Sequence, residues 1–264
     1  MPLVLTKPRV DGIGNVVNGL VSGLAIDPET TITCNPEYSL GVYDTVFAPR
    51  HIYSGGPATP FGTFRLLVLK SEEADQVHTE TEFHDIQTCG QSAFSDRVAI
   101  DMNYDPSRLS EAVRTRLCRT FQSLEFLPCI PAWVEAEVQS FSPATTLGVT
   151  VRTWTASHET NIRRPYSAEV YMQAIRRELT PEITHVVLSV DNPVHTAEYL
   201  EVLKTVPVTV VLLERRPGQN ELQHAFVKAL TLSRCAVVIG SRISTFTELV
   251  YWFGSCTPRI VPLF

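Results

Sequence analysis

The chain has 264 residues, 44% hydrophobic and 19% charged, with 12 Phe, 8 Tyr and 3 Trp; this is ample for a packed core and excludes disorder along the whole length. Acidic residues outnumber basic ones by 28 to 22, a formal net charge of −6, so the basic footprint of a sequence-independent nucleic-acid binder is missing. No uncharged apolar run approaches the ~20 residues that cross a bilayer, and the opening MPLVLTKPRVDG is broken too early by Lys7, Pro8 and Arg9 for a signal peptide, so a soluble, cytoplasmic protein is expected.

In chain order, residues 3–7 read as a strand, 14–26 as a helix and 31–34 as a second strand. The pattern then loosens. Residues 54–62 (SGGPATPFG) predict a Gly/Pro-rich loop, 71–85 are acidic and polar, and 107–124 have good helical periodicity. LEFLPCIPAWVEAEV leads to a boundary near residue 141, where FSPATT is the best linker candidate; the expected domains are 1–140 and 141–264. Charge shifts there too, from a balance of −8 before residue 141 to +2 after it, which suits a phosphate-bearing ligand on the second half.

The second half alternates regularly. Residues 147–153 (LGVTVRT) predict a buried strand, and 167–179 a helix whose apolar Val170, Tyr171, Ala174 and Ile175 share a face behind a Ser167 cap. Strands at 185–190, 208–213 and 236–239 alternate with helices at 196–204, 220–233 and 245–253. Strand and helix at this interval argue an α/β fold, a parallel sheet with helical crossovers on both faces. The six cysteines lie far apart, without a CxxC pair, and the seven histidines form no HExxH; reduced cysteines and no metal are expected.

Several residues carry possible chemistry. Gly12 and Gly14, with Asn15, stand between a strand and a helix, where backbone can approach a ligand and a helix N-terminus can meet an anion. The full dinucleotide fingerprint is absent, because position 17 is Val, and this argues against a dehydrogenase. Arg152 follows an apolar strand at the carboxyl edge of the expected sheet, placed to grip phosphate oxygens, or to be an ordinary surface arginine. His158 and Glu159 just beyond it are a candidate base and acid, or part of an exposed polar loop. Asp191 ends the next strand and is suited to accept from a base or ribose hydroxyl, or simply to start a turn before Asn-Pro. Ser241, Ser244 and Thr245 open the last helix as phosphate ligands or as caps. Three successive strand ends with polar groups on one edge are not explained by an apolar core.

These stretches resemble the fucosyltransferase-like glycosyltransferases. GIGNVVNGLVSGLA is similar to that superfamily's opening loop and helix, GVTVRTW to its strand ending in H-x-R, SVDNP to its Asp-bearing strand end, and IGSRISTFTELVYWF to its closing S-x-S-T-F segment. The resemblance implies a GT-B architecture of two Rossmann-like domains facing across a cleft, and inverting transfer of a sugar, most often fucose from a GDP-linked donor, to a glycan hydroxyl without a metal or other cofactor. It further implies that Arg152 neutralises the leaving diphosphate, that Asp191 contacts the nucleoside, and that Ser244, Thr245 and Phe246 line the phosphates and base. Gly14 and Asn15 would approach from the other domain. The chain departs from the pattern at Thr150, where the family has His, and at Thr153 and Thr155, where it has a second Arg and an acid. The base is then His158, Glu159 or lost, and a degenerate nucleotide- or sugar-binding module is the alternative to an enzyme.

Overall fold

The computed structural model describes residues 3–5, 12–32, 43–55, 59–61, 98–101, 103–108, 111–153 and 166–263. They fall into two compact units, one of Met1–Pro131 with Pro217–Val227, the other of Ala132–Arg216 with Lys228–Phe264.

The first unit is built on a parallel three-stranded sheet in which β1 (Leu3–Leu5) lies between β2 (Thr31–Ile32) and β3 (Thr59–Phe61). Helix α1 (Ile13–Ile26) links β1 to β2 and buries Val16, Val17, Leu20 and Val21. Strand β3 lies inside the stretch expected to be loop. Its Pro60 is tolerated because β3 is an edge strand, where a missing N–H breaks no ladder on the outer side. Helix α2 (Val98–Asp101) is a single turn, followed by α3 (Glu111–Gln122). The helix expected from residue 107 starts later because Asp105 Oδ1 accepts from both the Ser107 N–H and its hydroxyl, at 2.9 and 2.7 Å. That arrangement closes a separate 3-10 turn at Pro106–Arg108. Helix α4 (Cys129–Val138), which belongs to the second unit from Ala132 onward, has no counterpart in the sequence pattern, since Pro128 and Pro131 mark a break; both fall before or within its first turn, where no intrahelical N–H is needed. The aromatic core of this unit centres on Phe47, whose ring lies 5.5 Å from Phe126 and 5.3 Å from Phe226.

His51 is buried beside that cluster, its Nε2 accepting from the Glu125 N–H at 3.0 Å. Burial, with the Arg50 guanidinium next to it, holds its pKa below the ordinary imidazole value. The native state therefore prefers neutral His51, whereas the unfolded chain takes up a proton near pH 6.5. Stability is kept above that pH and lost as pH falls below it. Urea unfolding at about pH 7.5 and about pH 5.5 should show a smaller difference for His51→Gln than for the parent; equal differences would mean His51 does not contribute.

The second unit holds a five-stranded, all-parallel sheet in the order β6-β5-β4-β7-β8. The strands are β4 (Thr146–Val151), β5 (His185–Val190), β6 (Thr209–Leu212), β7 (Val237–Ser241) and β8 (Arg259–Leu263). The helices are α5 (Ala168–Glu178), α6 (Thr196–Leu203) and α8 (Thr245–Phe253), with the last residues, from Lys228, of α7 (Glu221–Leu232), whose first part belongs to the other unit. β4 is central and buried along its whole length, as expected of a strand covered on both faces. Its Leu147, Val149 and Val151 pack in one core with Tyr171, Ile175, Val186, Leu188 and Ile239. The cap expected at Ser167 is made, its hydroxyl accepting from the Val170 N–H. Residues 141–146 are tied down: Pro143–Thr145 form a 3-10 turn, Thr146 opens β4, and Pro143 O accepts from the Ala236 N–H at 3.0 Å. β8 was not anticipated; it forms the sheet edge next to β7, with Pro262 in register with Gly240.

Candidate functional site

Chain order and sheet order together mark one place in the second unit. From β4 the chain adds β5 and then β6 on one side, and afterwards returns to place β7 and β8 on the other. The switch therefore lies between β4 and β7, and crossovers diverge there to leave a crevice outside the carboxyl ends of the strands. Arg152 leaves β4 at that point, and Ser241 leads from β7 into α8.

The exit of β4 is held on two sides. The Tyr171 hydroxyl accepts from the Arg152 N–H at 3.2 Å, donates to Thr150 O at 3.3 Å and is hydrogen-bonded by the Ser241 hydroxyl. Burial pushes the Tyr171 phenol up, so it stays a neutral donor and acceptor at any physiological pH. One residue further, Asp191 takes the Thr153 N–H on its two oxygens at 2.9 and 3.0 Å and the Thr153 hydroxyl at 2.6 Å. Arg152 is thus half-buried on a stretch of backbone whose direction is fixed on either side. Asp191 itself is exposed, and part of its accepting capacity is spent on Thr153.

The α8 end is equally defined. Ser244 is buried and caps the helix, its hydroxyl accepting from the Thr247 N–H at 3.4 Å. Thr245 and Phe246 are the first two helical residues, half-buried, and their N–H groups have no intrahelical acceptor. The helix sits close on β7 because residue 240 is glycine: a Cβ there would lie 2.6 Å from Thr247 Oγ1 and 2.8 Å from Thr150 Cγ2. A Ser244→Ala variant should lose about 1 kcal/mol of stability, or about 2–4 °C in Tm for a chain of this size. A melt unchanged from the parent would show that the cap is not needed.

Lys228, on α7, belongs to the same edge and was not singled out in the sequence, where a lone lysine on a helix reads as exposed. Its side chain is buried, and Nζ donates to Val190 O, at the end of β5, at 3.1 Å. Burial lowers its pKa, and the Asp191 carboxylate pulls the other way. Tyr171 stands in the sequence pattern only as part of an apolar helix face, and Tyr166, whose hydroxyl donates to Leu263 O at 2.9 Å, does not stand out there.

Arg152, Asp191, Ser241, Ser244, Thr245 and Phe246 thus share the carboxyl edge of one sheet. Gly12, Gly14 and Asn15 belong to the first unit, at the start of α1. Gly12 is the exposed N-cap residue, with no side-chain cap and open space where a Cβ would be, while Gly14 is buried inside the first turn. His158 and Glu159 lie outside the described residues. Among the described residues no group of three His, Cys, Asp or Glu is placed to hold a metal ion, and no helix is long and apolar enough to cross a membrane. Among the described residues Cys129 and Cys235 are free thiols.

No family model matches the chain, and no curated protein matches it by sequence. Solved structures do. A fucosyltransferase NodZ from Bradyrhizobium is similar over 98% of this chain and 94% of its own, with a TM-score of 0.55 at 19% identity. The NodZ α-1,6-fucosyltransferase soaked with GDP-fucose gives 0.54 at 19% identity over the same shares. POFUT1 in complex with GDP-fucose gives 0.51 at 10% identity, over 98% of this chain and 97% of that one. These are structures of the superfamily that the motifs resemble, and the chain has their α/β fold.

Proposed function

We propose that the protein is a glycosyltransferase that moves a sugar, fucose first among candidates, from a nucleoside diphosphate to a glycan hydroxyl by single displacement, with inversion and without a metal. The observation that carries this reading is that Arg152, just past the end of β4, and the capped N-terminus of α8, reached from β7, follow neighbouring strands at the switch point of the sheet. A guanidinium can grip diphosphate oxygens bidentately, and the helix N-terminus offers unfilled N–H groups and a positive dipole end to the same anion. The similar structures hold GDP or GDP-fucose, which supports a nucleotide-sugar ligand and puts GDP first among the bases to test. In this reading the two compact units correspond to the two halves of a GT-B enzyme, with Gly12, Gly14 and Asn15 on the acceptor-side half.

Charge builds on the departing diphosphate as the bond to C1 of the sugar breaks. Preorganised positive groups then stabilise the transition state more than the ground state, which is what raises the rate. Deprotonation of the attacking hydroxyl falls to His158 or Glu159 in this reading. Thr150, at the place where the resembling family has a histidine, favours a second reading: a module that keeps the nucleotide site and has lost turnover. A thermal-shift panel of nucleoside diphosphates and their sugars tests both, since a ligand of the native state raises Tm by mass action. Stabilisation by a nucleotide sugar with release of its sugar to water or glycan supports the enzyme. Stabilisation without release supports the module, and no stabilisation by any of them overturns both.

A further inference from the structure

The split at the switch point has a cause in the ladder. Pairing of β4 with β7 runs from Leu147 and Val237 to Val149 and Ile239 and stops there, whereas β4 and β5 stay paired through Val151 and Val190. Val151 O faces β5, where it accepts from the Asp191 N–H at 3.2 Å. Backbone groups alternate along a strand, so Thr150 O and the Arg152 N–H face the β7 side. In a ladder that continued in the same register, Ser241 of β7 would donate to that carbonyl and accept from that N–H.

The Tyr171 hydroxyl does both instead. It donates to Thr150 O at 3.3 Å and accepts from the Arg152 N–H at 3.2 Å, while the Ser241 hydroxyl bonds to it from the other strand. A phenol oxygen is donor and acceptor at one point, so a single atom fills the place of a whole residue. The two strands therefore part without leaving Thr150 O and the Arg152 N–H unpaired. Tyr171 has little freedom to leave: it is fully buried on α5, its ring edge-on to Tyr166 at 6.3 Å and to Tyr199 at 5.6 Å. Without the hydroxyl, either those backbone groups lose their partner and the strand end loosens, or β7 pairs on to Ser241 and closes the crevice. Both outcomes turn Arg152.

We propose that Tyr171 is a positioning residue for Arg152: its hydroxyl takes the place of the rung that β7 withholds, keeping the crevice open and fixing the backbone from which the guanidinium reaches the diphosphate. This rests on the reading of Arg152 as a ligand of the diphosphate.

Amide hydrogen exchange and calorimetry with inorganic pyrophosphate, both on the full chain, test the two halves separately. In the parent the Arg152 N–H should exchange at least about a hundredfold more slowly than an exposed amide. An unprotected amide overturns the inference without any variant, and this measurement decides if Tyr171→Phe fails to fold. In folded Tyr171→Phe, which keeps the ring, that amide should exchange at least about tenfold faster and pyrophosphate should bind at least about fivefold more weakly. Tyr199→Phe is the matched control. It removes a phenol hydroxyl of the same core, bonded to Tyr166 O at 3.3 Å, and should leave both readouts within about twofold of the parent's. In an Arg152→Lys background, where the paired geometry is already lost, Tyr171→Phe should cost no more than about twofold in pyrophosphate affinity. Unchanged affinity in Tyr171→Phe, an equal loss in Tyr199→Phe, or an equal loss in the Arg152→Lys background each overturns the inference alone. A parent that does not bind pyrophosphate overturns the reading of Arg152 first, and this inference with it.

Discussion

Arg152→Ala should fold and melt as the parent does, yet transfer sugar at a rate lower by about 10²–10³ or to no measurable extent. The side chain is half-buried, and the backbone that carries it is held by the Tyr171 hydroxyl and the Asp191 carboxylate, neither of which the substitution removes. The loss should therefore fall on chemistry. In the glycosyltransferase reading the departing diphosphate carries more charge in the transition state than in the bound donor, so kcat should fall more steeply than KM rises. Arg152→Lys should recover only part of the rate, because an ammonium keeps the charge but not the paired geometry of the guanidinium. Parent-like turnover by a folded Arg152→Ala protein would remove this residue from the mechanism.

The second large effect is on stability. Gly240→Val should destabilise the protein by about 3 kcal/mol or more, a large share of the 5–15 kcal/mol typical of native proteins. A first side-chain carbon at this place would already lie 2.6 Å from Thr247 Oγ1 and 2.8 Å from Thr150 Cγ2. Thr247 is fully buried and Thr150 nearly so, leaving neither room to retreat. Relief would come only from lifting α8 off β7, which also moves Ser244 and the helix N-terminus away from Arg152. Chemical denaturation reads the first consequence and nucleotide binding the second. A Gly240→Val protein as stable as the parent would mean that α8 is not seated by this contact.

What the sequence disclosed followed from local chemistry. HVVLSV is apolar, β-branched and flanked by turn residues, and it forms a strand over the same six residues. TFTELVYWF follows a serine cap and is helical from its first residue to its last. What stayed hidden depended on partners distant in the chain. RIVPL contains a proline and resembles a tail until β7 is there to pair with it. Pro131 signals a break and is harmless because the helix has only just begun. At the candidate site, the placement of Arg152, Asp191 and the α8 cap just past strand ends was legible because strand ends announce themselves in an alternating pattern. Lys228 was not. A lysine within a helix reads as solvated unless one knows that a strand terminus lies over it, and the capture of Asp191 by Thr153 likewise needs β4 and β5 side by side.

Pro262 gives the last strand a further property. Leu263 O receives the Arg242 N–H at 3.3 Å on the β7 side, so the alternation of backbone groups turns the preceding nitrogen, that of Pro262, outward. That nitrogen has no hydrogen to offer. An extended segment from another molecule aligning along this flank would find a gap in the ladder where it needs a donor, so self-templated growth of the sheet is checked on the side that β8 occupies.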